Sequence, residues 1–207
     1  MKLVQQIKDK IDKHYSYPKG IIGVYIGEKM VKQHKPETYW TLQLLHPQPN
    51  DTILELGCGA GYAIKLLAQL SRSSPIVGMD ISKSVLRSAS ARNRIEIRKG
   101  RITFVHHSVN HIPFQNETFS KIFSIHSIYF WTDLSETISE IYRVLKNDGT
   151  LLITLYDGKN GIPFTDNKVL IEQKVIPGLT MAGFRNIEVL RGPQSREFDS
   201  HAIKAKK

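Results

Sequence analysis

The fold of this chain is decided by the stretch Ile53-Leu54-Glu55-Leu56-Gly57-Cys58-Gly59-Ala60-Gly61-Tyr62. Its mostly apolar start predicts a buried strand, and its three alternating glycines predict a turn with positive φ angles. The residues that follow predict a helix whose first amides point back toward the turn. A strand, a glycine turn and a helix in this order indicate a site where a ligand lies against the backbone.

From Thr52 onward, short apolar runs alternate with helical segments, a pattern typical of repeated β-α units. The predicted strands are 52–56, 76–79, 102–106, 121–125, 150–155, 187–190 and 200–205. The predicted helices are 63–70, 84–97, 134–145 and 168–182. We therefore expect a doubly wound α/β domain with a mostly parallel, Rossmann-like sheet over residues 51–207.

The first 50 residues lack this alternation. Residues 1–14 carry apolar side chains at helical spacing, and residues 15–27 are rich in glycine and tyrosine, as in an irregular loop. A further helix is predicted over 36–45, with Trp40, Leu44 and Leu45 facing inward. We interpret residues 1–50 as a helical lid on the substrate side, with Tyr15, Tyr17 and His34 as candidate lid residues.

An acidic residue ends the second predicted strand. Asp80 follows the glycine turn by about 20 residues, the distance at which an acid accepts hydrogen bonds from ribose hydroxyls. Tyr62 stands where a dinucleotide fingerprint needs its third glycine, which disfavours a nicotinamide cofactor. Glu55 would repel a phosphate and attract an amino group. These features favour S-adenosylmethionine, which has an amino group and no phosphate.

Several segments match a known family in the expected order over residues 52–190. They are Glu55-Leu56-Gly57-Cys58-Gly59-Ala60-Gly61, Gly78-Met79-Asp80-Ile81-Ser82, Ile112-Pro113-Phe114 with Thr118-Phe119-Ser120-Lys121-Ile122, residues 140–149, and Ala182-Gly183-Phe184. The chain resembles the class I S-adenosylmethionine-dependent methyltransferases of the small-molecule type. That resemblance implies a seven-stranded sheet whose last strand is inserted antiparallel.

The resemblance also implies how the cofactor is held. Glu55 and the glycine turn would bind its methionine portion, Asp80 the ribose and Ile81 one face of the adenine. Ser108 and Val109 replace an acidic and a small residue of the family pattern, and the serine hydroxyl can still bond the adenine amino group. The predicted cofactor-binding residues are Glu55, Gly57, Cys58, Gly59, Gly61, Asp80, Ile81, Ser108, Val109 and Ile125.

Candidates for the acceptor side follow the fourth predicted strand, because ligands of open α/β sheets bind at the carboxyl ends of strands. They are His126, Ser127, Tyr129 and Trp131. His126 is the first candidate for an acceptor-side base, since histidine titrates near neutrality. The predicted catalytic residues are His126 and Tyr129. The alternatives are that His126 caps the strand or lines the pocket, and that Tyr129 is a packing residue.

Three histidines, at 106, 107 and 111, raise the question of a metal. Neighbouring side chains of a strand point to opposite faces, so His106 and His107 are unsuited to share an ion, and we expect no metal site. The single cysteine excludes an internal disulfide. With no signal peptide or apolar span evident, we expect a soluble cytoplasmic protein without a membrane partner.

The excess of lysine and arginine over aspartate and glutamate, 29 to 19, favours anionic partners and keeps a nucleic-acid methyltransferase as the second hypothesis. Cys58 lies in the glycine turn, which is unsuited to a cysteine nucleophile, and Ser124-Ile125-His126-Ser127 differs from the Asn-Pro-Pro-aromatic stretch of amino-methylating relatives. A nicotinamide oxidoreductase and a non-catalytic cofactor-binding protein are further alternatives. The first hypothesis is methyl transfer to a small-molecule acceptor, with the oligomeric state open.

Overall fold

The computed structural model describes residues 30, 31 and 33–207. The predicted helix at 1–14, the predicted loop at 15–27, Tyr15 and Tyr17 therefore lie outside the described residues.

The described chain alternates strands and helices from Ile53 onward. The strands are β1 Ile53–Leu56, β2 Ile76–Asp80, β3 Ile102–His106, β4 Phe119–Ile125, β5 Leu145–Lys159, β6 Ile162–Pro163, β7 Arg185–Ser195 and β8 Phe198–Lys206. The α-helices are α1 Lys35–Leu45, α2 Tyr62–Leu70, α3 Lys83–Arg92, α4 Arg94–Arg98, α5 Leu134–Val144, α6 Thr165–Val169 and α7 Ile176–Ala182. A 3-10 turn at Ile128–Phe130 and a π-helical segment at Leu170–Val175 complete the elements.

The strands form one sheet in the order β3-β2-β1-β4-β5-β8-β7. The first five strands run parallel, and β8 lies antiparallel between β5 and β7. The expected Rossmann-like sheet with an inserted last strand is confirmed. The two-residue β6 pairs with the end of β5 as an eighth strand that the seven-strand prediction lacks.

Two predicted helices differ from the structure. The helix expected over 84–97 is divided at Asn93, whose side-chain amide donates to the carbonyls of Gly61 (3.0 Å) and Ala89 (2.9 Å). These bonds tie the helix end to the start of α2 and compete with the continuing helix. The helix expected over 168–182 begins earlier and changes from α to π and back to α.

The core lies on both faces of the sheet, because neighbouring strand residues point to opposite sides. Leu151 and Ile153 of β5 pack with α5 and α7, whereas Leu152 between them packs with α1 and α2. In α1 the most buried apolar side chains are Leu42 and Leu45. The predicted inward Trp40 and Leu44 are only partly buried, but they pack against the same cluster.

This arrangement places the carboxyl ends of β1, β2 and β4 side by side. None of the helices in the described ranges has both the length and the apolar character to cross a membrane.

Candidate functional site

A cavity of about 220 Å³ opens at the carboxyl ends of β1, β2 and β4. Nine of the ten predicted cofactor residues line it: Glu55, Gly57, Cys58, Gly59, Asp80, Ile81, Ser108, Val109 and Ile125. The tenth, Gly61, lies just outside as the N-cap of α2. His126 and His34 also line the cavity, which joins the predicted cofactor and acceptor sides in one space.

The glycines of the turn serve different purposes. Gly57 has φ +72°, and a Cβ there would lie 2.3 Å from Cβ of Ser127. Gly59 has φ +50°, and a Cβ there would meet no protein atom within 4 Å. Gly57 is therefore required by the protein's own packing, whereas Gly59 leaves open space on the cavity side where a ligand would approach.

Three amides of the glycine turn are bonded within the protein. Gly57 and Cys58 both donate to the carbonyl of Met79, at 2.8 and 3.0 Å. The amide of Gly59 donates to Oδ2 of Asp80 at 2.9 Å. The positive φ angles fold the turn onto the end of β2, so these amides are satisfied internally. At Gly57, Cys58 and Gly59 the turn therefore offers a ligand space rather than free amide donors.

Asp80 holds the turn in this shape. Its Oδ2 accepts from Gly59, and its Oδ1 accepts from the amide of Ser82 at 2.8 Å. Burial raises the pKa of this carboxyl group above its usual value, although the backbone bonds oppose the rise. Each oxygen has a second lone pair for a hydroxyl group, so the ribose contact stays a prediction beside this observed bracing role.

Glu55 is the residue that most clearly indicates where a ligand binds. Its side chain is in the cavity wall and only 4% exposed, and its Oε2 atom has no hydrogen-bond partner among the described residues. Burial, with a further contribution from the charge of Asp80, raises the pKa of Glu55 well above its usual value. A buried carboxylate without a partner is costly, and a ligand ammonium group would relieve that cost. The amino group of S-adenosylmethionine fits this requirement.

His126 also lies in the wall of the cavity, with a φ of +54° and 7% exposure. Neither of its ring nitrogens has a hydrogen-bond partner in the described part of the chain. Burial lowers the pKa of its imidazole to about 3, so the ring is neutral at physiological pH. A strained, neutral histidine with two available nitrogens suits contact with a bound molecule.

The hydroxyl of Tyr129 is bonded to the backbone of Tyr156, and the catalytic role of Tyr129 stays a prediction. Its hydroxyl donates to the carbonyl of Tyr156 at 3.1 Å and accepts from the amide of Tyr156 at 2.6 Å, and the residue does not line the cavity. Burial raises the pKa of Tyr129. The 3-10 turn after β4 directs this side chain toward β5, so Tyr129 fixes the backbone there.

Two important residues near His126 escaped the sequence reasoning. Glu37 of α1 is fully buried, and it accepts a hydrogen bond from the hydroxyl of Tyr156. Burial opposes its ionisation, but hydrogen bonds from His34 and Tyr156 outweigh burial and lower the pKa of Glu37 to about 2. A usable signal was present, because Glu37 shares the i, i+4, i+8 face with the buried Thr41 and Leu45.

Comparisons with known proteins agree with this geometry. Residues 54–153 match the family model described as a methyltransferase domain. YrhH of Bacillus subtilis, named as a methyltransferase, is 36% identical over 108 residues, covering 52% of this chain and 59% of YrhH. A demethylmenaquinone methyltransferase of Symbiobacterium thermophilum is 28% identical over 150 residues, covering 72% of this chain and 57% of the relative.

The matched regions thus span less than two thirds of these two relatives. Among solved structures, a SAM-dependent methyltransferase from Aquifex aeolicus superposes with a TM-score of 0.73 at 18% identity, covering 88% of this chain and 97% of the other. The sheet order, the glycine turn with Asp80, and the family match over 54–153 lead to one conclusion. Residues 54–153 are a methyltransferase domain, the chain has the fold of the S-adenosylmethionine-dependent methyltransferases, and S-adenosylmethionine is the cofactor of that group.

Proposed function

We propose that this chain transfers a methyl group from S-adenosylmethionine to a small-molecule acceptor. The observation that carries the proposal is the buried carboxylate oxygen of Glu55, which has no hydrogen-bond partner among the described residues, in a cavity that the equally unbonded ring of His126 also lines. When bound, the cofactor supplies a methyl group on a positively charged sulfur, already reactive toward a nucleophile. The protein's remaining task is to bind, align and exclude water.

Each end of the cavity would hold one partner. Glu55 would bind the amino group of the cofactor, and Asp80 the ribose. Ile81, which is 49% exposed, offers an apolar surface to the adenine, and Ser108 and Val109 lie on the same side. Gly59 leaves the space through which the cofactor backbone approaches.

The acceptor end is largely apolar. Met30, Val31, Phe130 and Trp131 are among the residues that line the cavity. Such a lining suits an apolar or aromatic acceptor with one nucleophilic atom. The similarity to a demethylmenaquinone methyltransferase supports an acceptor of this kind.

We assign His126 the role of positioning the acceptor. A pKa of about 3 makes its imidazole a weak base, but a neutral ring nitrogen can accept a hydrogen bond from an O–H or N–H group. That bond would orient the nucleophilic atom and polarise it. The stronger role of a full proton acceptor, expected from the sequence, is disfavoured by the burial of the ring.

The nucleic-acid hypothesis is weakened by where the basic residues bond. Arg101 donates to Glu96 and to three backbone carbonyls, and Lys99 also pairs with Glu96. Arg101 is thus bonded within the fold, whereas Lys99 is paired at the surface with 61% of its side chain exposed. A nucleic-acid acceptor therefore stays second, while the lid over 1–50, the cytoplasmic location and the oligomeric state stay predictions.

The test is a methyl-transfer assay with radiolabelled S-adenosylmethionine. Phenols, hydroquinones and amines would be offered as acceptors, with bulk RNA in a parallel reaction. We expect label in an apolar small-molecule product and more than about tenfold less with Glu55→Gln. Label in RNA alone would establish the second hypothesis, and tight cofactor binding without transfer to any acceptor would favour a non-catalytic protein.

A further inference from the structure

A cluster of three metal-ligating side chains lies beside the acceptor end of the cavity. Its members are His34, just before α1, Glu37, in the first turn of α1, and His126, after β4. One candidate ligand atom from each lies within 4.8 Å of the others. The two imidazole rings have centroids 4.5 Å apart, and Nδ1 of His34 lies 3.9 Å from Oε1 of Glu37.

Several atoms in this cluster have no protein partner. Oε2 of Glu37 and both ring nitrogens of His126 are buried and make no hydrogen bond to any described residue. Among the described residues, the only ion-pair contact of the buried Glu37 is to His34. Buried polar atoms normally have hydrogen-bond partners, so three neighbouring buried atoms without one indicate that a ligand binds here. Because the Glu37 oxygen and one nitrogen of the neutral His126 ring offer lone pairs, an electron-pair acceptor would satisfy both.

We propose that His34, Glu37 and His126 bind one divalent transition-metal ion of the zinc type. Two imidazoles and one carboxylate form a ligand set known for zinc sites that keep an open position. Ligand atoms about 3.4 Å apart would surround an ion at bond lengths of about 2.1 Å, so small side-chain rotations suffice. Tyr156, which donates to Glu37 and lies 3.2 Å from Nδ1 of His34, would orient the ligands from behind.

This cluster does not contain the three histidines that were considered as metal ligands from the sequence. His106 bonds the carbonyl of Ile81, and neither it nor His107 or His111 belongs to the cluster. The open coordination position would face the cavity, where it would take an oxygen atom of the acceptor. The ion would take the one lone-pair nitrogen of the neutral His126 ring, so in the metal-bound chain the ion, and not this nitrogen, would position the acceptor of the proposed methyl transfer. Zinc binding itself is measured without methyl transfer.

The experiment measures zinc on the untagged full chain. The protein is stripped with a chelator, loaded with Zn²⁺, desalted and analysed by mass spectrometry of its metal content. Co²⁺ replaces Zn²⁺ in a second sample, where visible absorption reports coordination by nitrogen and oxygen. We expect about one ion per chain, and binding more than about tenfold weaker in Glu37→Gln and in His126→Asn.

His111→Asn is the matched control, because this histidine side chain is 75% exposed and lies outside the cluster. It should bind zinc like the unmodified chain. Circular dichroism checks that each variant is folded, and if Glu37→Gln is unfolded, His126→Asn alone carries the test. A chain that retains no zinc, or zinc retained by a folded His126→Asn variant, would overturn the proposal. Cofactor affinity measured on the same samples keeps the two proposals separate.

Discussion

Replacing Gly57 by alanine should damage the turn through two separable effects. At φ +72° the alanine backbone is strained by about 1–2 kcal/mol. The new Cβ would also lie 2.3 Å from Cβ and 2.8 Å from Oγ of Ser127, and such overpacking costs about 1–3 kcal/mol more. We therefore expect Gly57→Ala to lower the free energy of unfolding by about 2–5 kcal/mol.

Two other glycines isolate each effect. Gly100 has the same φ of +72°, but a Cβ there meets nothing within 4 Å, so Gly100→Ala should show the strain alone. Gly59→Ala should also cost only backbone strain, but its Cβ would occupy the cavity and weaken cofactor binding. Urea denaturation measures the stability of the three variants, and calorimetry measures their affinity for the cofactor.

A double variant checks the cause of the clash. Ser127→Gly removes both atoms that the new Cβ would meet, so Gly57→Ala should cost about 1–3 kcal/mol less in that background. If Gly57→Ala were no more destabilising than Gly100→Ala, or if Ser127→Gly gave no relief, the close packing at this turn would be refuted.

Asp80→Ala should lower the free energy of unfolding by about 1–3 kcal/mol and weaken cofactor binding, because the Gly59 amide loses its acceptor; equal calorimetric affinity would contradict this. Tyr129→Phe should lower the free energy of unfolding, measured in urea, by about 1–3 kcal/mol because it breaks both hydrogen bonds to Tyr156, and cofactor affinity should stay unchanged. A loss of cofactor affinity would indicate that Tyr129 belongs to the binding site. The pKa of His126 falls from 6.5 to about 3 on folding, so the folded state binds fewer protons between these values. The free energy of unfolding that depends on this neutral ring is fully present above about pH 6.5 and is lost as the pH falls toward 3. Thermal melting curves should therefore show a smaller loss of stability over this pH range for His126→Asn than for the unmodified chain.

The sheet and the cofactor end of the cavity could be predicted because they depend on local patterns. Alternating apolar runs fix the strands, and the glycine turn with Asp80 fixes where the carboxyl ends of β1 and β2 meet. The break at Asn93 was missed because it depends on a bond to the distant Gly61 carbonyl. Local helix propensity gives no indication of such a contact.

The acceptor end was harder to predict because its residues come from separate segments. Glu37, His126 and Tyr156 meet only after α1 packs beside β4 and β5, and no spacing rule joins them. The hydrogen bond from the Tyr129 hydroxyl to the backbone was missed for the same reason, since its partner lies 27 residues further along the chain. Hydrogen-bond partners of this kind are fixed by tertiary packing and not by a motif.

The most direct test is calorimetric titration of the purified chain with S-adenosylmethionine and with its demethylated homocysteine product. We expect both to bind, a nicotinamide dinucleotide not to bind, and Glu55→Gln to bind the first two more than about tenfold more weakly while staying folded. No affinity for either adenosyl compound, or affinity that Glu55→Gln leaves unchanged, would contradict the cavity assignment.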